Sequence, residues 1–167
     1  MTRIHPRVLV STLALALLLA IGGCDKPKKE WSGIGKWIIN KTTLEDWGYM
    51  NMCSPSGELM WCQNSPLEKT HTVKMGGQDA VVGTYYKGTK EDAPLVEIVL
   101  TVDSCQPEPL QSWMRETFGK PTADKGKVVH WAGKLVFISA KLGSSCQVVF
   151  VAADDKKRIG ELQAATE

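Results

Sequence analysis

Beyond residue 33 the apolar positions follow two periods, and the changes between them mark out the elements. Ala80–Tyr86 (Ala-Val-Val-Gly-Thr-Tyr-Tyr) and Leu95–Val102 (Leu-Val-Glu-Ile-Val-Leu-Thr-Val) are rich in β-branched and aliphatic residues. They read as strands, the second apolar enough to be central. Its inward set is either Val96, Ile98, Leu100 and Val102 or the alternate residues. Thr70 to Met75 alternates moderately before the Gly76-Gly77 turn signal. The period then lengthens. Leu110, Trp113, Met114 and Phe118 fall on one face of a helix that begins at Pro107-Glu108-Pro109 and is stopped by Gly119 and Pro121. Two strands, 127–132 and 135–141, follow around a Gly133-Lys134 turn, then a fifth strand-like run, 146–152. Near the start, Thr42 with Glu45 three residues on suggests a capping box for a short helix ended by Gly48. Near the end, Asp154 is placed to cap a helix carrying Ile159 and Leu162. The pattern predicts an α+β chain with a single small domain. Its mainly antiparallel sheet has about five strands, with two or three helices on one face.

The first residues follow a different pattern. Arg3, His5 and Arg7 precede a run, Val8 to Ile21, that is apolar except for Ser11 and Thr12. The run is shorter than the ~20 residues a helix needs to span a bilayer, and it fits a secretory signal. It ends in Ile21-Gly22-Gly23-Cys24. This resembles the lipobox of bacterial lipoproteins with a type II signal peptide: an aliphatic residue, two small residues and a cysteine. The resemblance implies cleavage before Cys24, diacylation of its thiol and acylation of the new amine, hence a lipid anchor in a membrane facing the periplasm. Each buried methylene contributes about 0.8 kcal/mol and a single acyl chain holds only marginally, so the three chains of that family make the anchor effectively permanent. Asp25 resembles the inner-membrane retention signal of enteric lipoproteins; where that rule does not apply, the outer membrane is the destination. The resulting organisation is a signal peptide at 1–23, an acylated Cys24 and polar tether at 24–33, and a periplasmic domain at 34–167.

Composition changes the picture in two respects. The chain carries 20 Lys and Arg against 18 Asp and Glu. Loss of residues 1–23 removes Arg3 and Arg7 and no acid, so the mature side chains balance at 18 each. With no basic run, nucleic acid is excluded as the expected partner. The second respect is cysteine. Export into an oxidising compartment makes disulfides the default for Cys53, Cys62, Cys105 and Cys146, of which three pairings exist. The turn-rich segment between Cys53 and Cys62 closes locally, and Cys105 ends one strand-like run where Cys146 opens another. This favours 53–62 with 105–146. A metal or redox role is disfavoured, because no CxxC occurs and His71 and His130 lack ligand-like spacing.

No catalytic constellation emerges, and no cofactor or metal is expected. There is no Gly-x-Ser-x-Gly. His130 lies beside Trp131 in a strand, which suits packing better than base catalysis. Glu91-Asp92 and Asp154-Asp155 sit in turns, and the Gly33–Lys36 segment lacks the length of a phosphate loop. The order helix, Phe118-Gly119-Lys120-Pro121, then three strands with a Trp in the first, spans about 107–152. It resembles BamE-like lipoprotein domains and small inhibitors such as the β-lactamase inhibitory protein.

The six tryptophans are used unevenly. Trp113 and Trp131 suit the core, and Trp31 and Trp37 either pack or rest at a membrane interface. Leu59-Met60-Trp61 lies inside the Cys53–Cys62 loop. There it is either a pre-ordered partner-binding tip or a lid folded onto the core. The expected function is therefore not enzymatic. It is a membrane-anchored binding protein, an inhibitor or immunity protein that neutralises a secreted antibacterial enzyme. The alternative is a structural envelope-assembly component of BamE type.

Overall fold

The computed structural model describes residues 30–64 and 71–165. The segment expected as a signal peptide, with Cys24 and Asp25, lies outside the described residues. Among those described, no helix is long and apolar enough to cross a membrane.

The chain opens with a minimal hairpin, β1 (Gly33–Ile34) and β2 (Trp37–Ile38), and two 3-10 turns, Glu45–Trp47 and Met50–Met52. The strands β3 (Cys53–Ser56), β4 (Leu59–Gln63), β5 (Thr72–Met75), β6 (Gln78–Lys87) and β7 (Leu95–Val102) follow. Helix α1 (Pro107–Phe118) leads to β8 (Ala123–Asp124), β9 (Val128–Ala132), β10 (Val136–Lys141) and β11 (Cys146–Ala152), and α2 (Lys156–Ala164) closes the chain. Nine strands form one antiparallel sheet in the order β3-β4-β6-β7-β11-β10-β9-β8, with β5 alongside β6. Strand β6 is long enough to serve two partners: Gln78–Val81 pairs with β5, and Gly83–Lys87 pairs with β4.

Period-two alternation divides the sheet into two faces. One face carries Val82 and Tyr86, Ile98 and Leu100, Val148 and Phe150, Val136 and Ile138, and Val129 and Trp131, all buried in a single hydrophobic cluster. Helix α1 lays Leu110, Met114 and Phe118 on this face, and Trp37, Leu44 and Trp47 complete it. Phe118 is its aromatic hub, meeting Trp31, Trp113, Trp131 and Phe150 with ring centroids 5.2–6.3 Å apart. Trp31 and Trp37 thus pack on the protein. The core takes in part of the segment expected as tether, since Trp31 and Gly33 belong to it and to β1.

Both expected disulfides are present. Cys53–Cys62 links directly paired residues of β3 and β4, with Cα atoms 4.1 Å apart, and Cys105–Cys146 ties the approach to α1 to the start of β11. In the chain-entropy picture the 41-residue separation of the second pair contributes about 4 kcal/mol and the 9-residue separation of the first about 2.5 kcal/mol.

The expected fold class is corrected. Among the described residues the chain is mainly antiparallel β, with a nine-stranded sheet where about five strands were expected, and two α-helices. The two helices also lie on opposite faces of the sheet. The five long apolar runs are all strands. Of the additional four, β8 has two residues, β5 has four and β3 is Cys-Ser-Pro-Ser, while β4 is an apolar run, Leu-Met-Trp-Cys-Gln, that sits between turn-forming residues. Their extended form is supplied by cross-strand pairing, which no local propensity announces. Neither expected cap forms as expected: the first turn has Leu44 at its N-cap with no side-chain cap, and the α2 cap is displaced by one residue. Thr42 is buried and its hydroxyl bridges Ile38 N–H and the Lys36 carbonyl, while the Asp46 carboxylate takes the Thr43 N–H at 2.7 Å. At α2, Asp155 rather than Asp154 accepts from the Arg158 N–H, at 3.0 Å. The two candidate inward sets of β7 are resolved by an irregularity. The register shifts between Tyr85 and Tyr86, so Leu95 joins Ile98, Leu100 and Val102 in the core and Val96 stays half-buried.

Candidate functional site

The second face of the sheet is chemically different from the first. Strand pairing sets a row across it: Trp61 beside Tyr85, Tyr85 beside Glu97, Glu97 beside Val151, Val151 beside Phe137. The next row runs Gln63, Gly83, Val99, Val149, Ser139, His130. Trp61 and Tyr85 stack with centroids 4.3 Å apart and planes tilted by 33°. The indole lies across Gly83, where a Cβ would come within 2.2 Å of the ring. Glycine at this position is what seats the aromatic pair flat on the sheet.

Glu97 is the unusual member of the row. Its side chain is only 6% exposed, and Arg158 of α2 reaches over it in a two-pronged ion pair at 2.8 and 2.9 Å. Arg158 also donates to Glu161 at 3.1 Å. A buried carboxylate needs such a partner, and the guanidinium fork matches it. The hydrogen bonds that Arg158 donates to Glu97 hold the guanidinium more firmly protonated than usual. Burial, and then the charge of Glu97, push the Tyr85 hydroxyl above its ordinary range. The Glu97–Arg158 pair forms a bar between two recesses. A larger one, of about 750 Å³, lies toward Leu59, Val96 and the start of α2; a smaller one, of about 350 Å³, lies over Trp61, Gly83 and Val99. Tyr85 borders both.

The residues singled out from sequence fall as follows. The Cys53–Cys62 segment is not an open loop but a hairpin of β3 and β4. Strand alternation separates the triplet: Met60 turns into the core, whereas half-buried Leu59 lines the larger recess and half-buried Trp61 the smaller. Adjacent residues of the triplet thus differ in burial: Met60 folds onto the core as a lid would, and Leu59 and Trp61 do not. Neither histidine lines these recesses. His71 sits among the rings of Trp37, Trp47 and Tyr49 and places Nε2 2.9 Å from the Trp47 carbonyl; burial lowers its pKa. His130 is 3% exposed, stacks on Phe137 and has no hydrogen-bond partner on either ring nitrogen. Burial, aided by the charge of Lys125, lowers its pKa. Among the described residues no group of three or more His, Cys, Asp and Glu is placed to hold a metal ion.

Sequence reasoning missed Tyr85, Glu97 and Arg158 as site members. One signal for Glu97 was available, because it is the single charged residue in the run Leu95–Val102. Its partner lies 61 positions away, where no spacing rule reaches.

A scan against protein-family models finds no match, and searches of curated proteins and of solved structures return no relative.

Proposed function

We propose that this chain is an exported bacterial lipoprotein, anchored through Cys24 and facing the periplasm, that works by binding a protein partner. The best-supported version is an inhibitor or immunity protein that occludes a secreted antibacterial enzyme; no catalysis is assigned to it. The observation that carries the binding role is the second sheet face, where Trp61 and Tyr85 border recesses on a scaffold stapled by two disulfides. A stiff scaffold lowers the entropy lost on association, and half-exposed aromatics are the residues on which binding energy concentrates. Anchoring and export rest on the Val8–Ile21 run and on Ile21-Gly22-Gly23-Cys24. Disulfides between the remaining four cysteines accord with an oxidising compartment.

Two experiments test the reading. On membrane fractionation the native chain is recovered with membranes, while Cys24→Ser stays as unprocessed precursor or is released. A variant trimmed to mature size and still membrane-bound overturns the anchor. For the partner, cross-linking in cells and identification of the bound protein should yield a secreted enzyme whose activity falls on stoichiometric addition of this chain. A partner that keeps full activity in the complex overturns the inhibitor role. Recovery of an envelope-assembly machine instead selects the structural alternative.

A further inference from the structure

We infer that the larger recess beside Glu97 and Arg158 is a receptor for arginine or lysine side chains presented by a loop of the partner protein. This rests on the binding role proposed above and assigns the chemistry of the contact. Leu59, Val96 and Ala152 give the recess apolar walls, and half-exposed Tyr85 borders it. Its lining also carries five carboxylates against two cations. Glu97 is neutralised by Arg158, Glu161 shares that same guanidinium, and Asp155 is engaged in capping α2. Glu58 and Asp154 remain exposed on the lining, with Lys87 as the only unpaired cation there. The lining therefore carries excess negative charge at its mouth and apolar surface within.

That combination matches one kind of side chain. Lysine and arginine carry an apolar stem and a cationic head, burying the first along apolar surface while the second seeks carboxylates. An aromatic face adds attraction for the cation. At about 750 Å³ the recess has the size of sites that take small ligands, roughly 300–1,000 Å³. It has room for more than one such side chain. An acidic segment would meet like charge at the rim, and a purely apolar one would leave Glu58 and Asp154 facing it.

The test uses the full-length chain in nonionic detergent and a capped peptide carrying two arginines separated by one glycine. Its controls are the same peptide with citrulline, which keeps shape and removes charge, and a chitooligosaccharide, which is another ligand for aromatic recesses. Calorimetry should detect the arginine peptide, with affinity that falls on raising salt. Glu58→Gln with Asp154→Asn should weaken it about fivefold at low salt, the scale of two exposed ion pairs. Amide chemical-shift changes should centre on Leu59, Tyr85 and Val96. Equal binding of the citrulline peptide, preference for the oligosaccharide, or shift changes confined to another surface overturns the inference. So does the absence of arginine-peptide binding at millimolar concentration. The double variant also separates this inference from the general binding role: if it still captures and inhibits the natural partner with unchanged affinity, the recess assignment fails while the partner-binding reading stands.

Discussion

α1 and α2 lie on opposite faces of one sheet and are held there by different physics. α1 buries Leu110, Met114 and Phe118, its start is tied to the sheet by Cys105–Cys146, and two hydrogen bonds join Gln78 to the Gln106 backbone. α2 has no fully buried side chain. Ile159 and Leu162, expected as its apolar anchors, are only half-buried, and Gly160 interrupts its middle. The clearest anchor of α2 is Arg158 on Glu97. Burial is non-directional and grows with area, so α1 is held by many small contributions; α2 relies more on a charged pair of specific geometry. The same division separates the faces. One is closed by apolar packing; the other keeps recesses bordered by aromatic and charged groups, where binding chemistry has room.

The two helices should differ most at Phe118. Phe118→Ala should lower unfolding free energy by about 4 kcal/mol, because it empties the aromatic hub, whereas Ile159→Ala should lower it by less than about 1 kcal/mol. Urea unfolding of both variants checks this, and equal losses would remove the distinction between the helices. Next comes the latch. Arg158→Ala leaves the Glu97 carboxylate buried without its partner, and about 2 kcal/mol of stability should be lost. Amide exchange should accelerate through Lys156–Ala164 and not through Pro107–Phe118. A loss spread evenly over both helices would mean α2 is packed more tightly than its burial indicates.

Trp61→Ala removes a stacked, half-exposed ring and should lower stability by about 1 kcal/mol, the scale of an aromatic pair. Partner affinity should fall more than stability does. A melting loss of the Phe118→Ala kind would place Trp61 in the core and retire it as a contact residue. Gly160→Ala should act in the opposite direction. A Cβ there meets nothing within 4 Å, so helix propensity alone gives a gain of about 0.5–1 kcal/mol. Protection of α2 amides should rise without change elsewhere.

The histidines sharpen the contrast through pH. Both have lowered pKa values in the folded state, chiefly through burial. Each is thus neutral when folded, and the unfolded chain binds the additional proton. Their contribution is complete above the unfolded value of about 6.5 and is lost as pH falls through the folded value. Stability measured from pH 7.5 to 5 should therefore decline, and His130→Leu, on the second face, should flatten the decline. An unchanged slope in that variant would assign the acid sensitivity to His71 or to the carboxylates.

Much of the frame was legible because it is written in long periodic runs. α1 showed itself through four apolar residues on one face between Pro107 and Gly119, and the strands at 80–86, 95–102 and 146–152 through sustained β-branched content. β3 and β4 were not legible: a segment of Cys, Ser, Pro and Gly reads as a turn, and becomes a hairpin because β6 offers β4 an edge to pair with. The site was legible in part. Leu59 and Trp61 were singled out as apolar residues in a closed segment, but their separation from Met60 required knowing that the segment is a strand.

What short stretches of the chain fixed unaided is local: the boundaries of α1, the long strands, and the pairing of the cysteines. These follow from short-range sterics, propensity and spacing, which act within a few residues. Only the tertiary structure decided that nine strands form one sheet, that the helices take opposite faces, and that Glu97 meets Arg158 across 61 positions. Those outcomes depend on which strand edges find partners and on where a buried charge must be neutralised. Both are properties of the assembled sheet, and no window along the chain contains them.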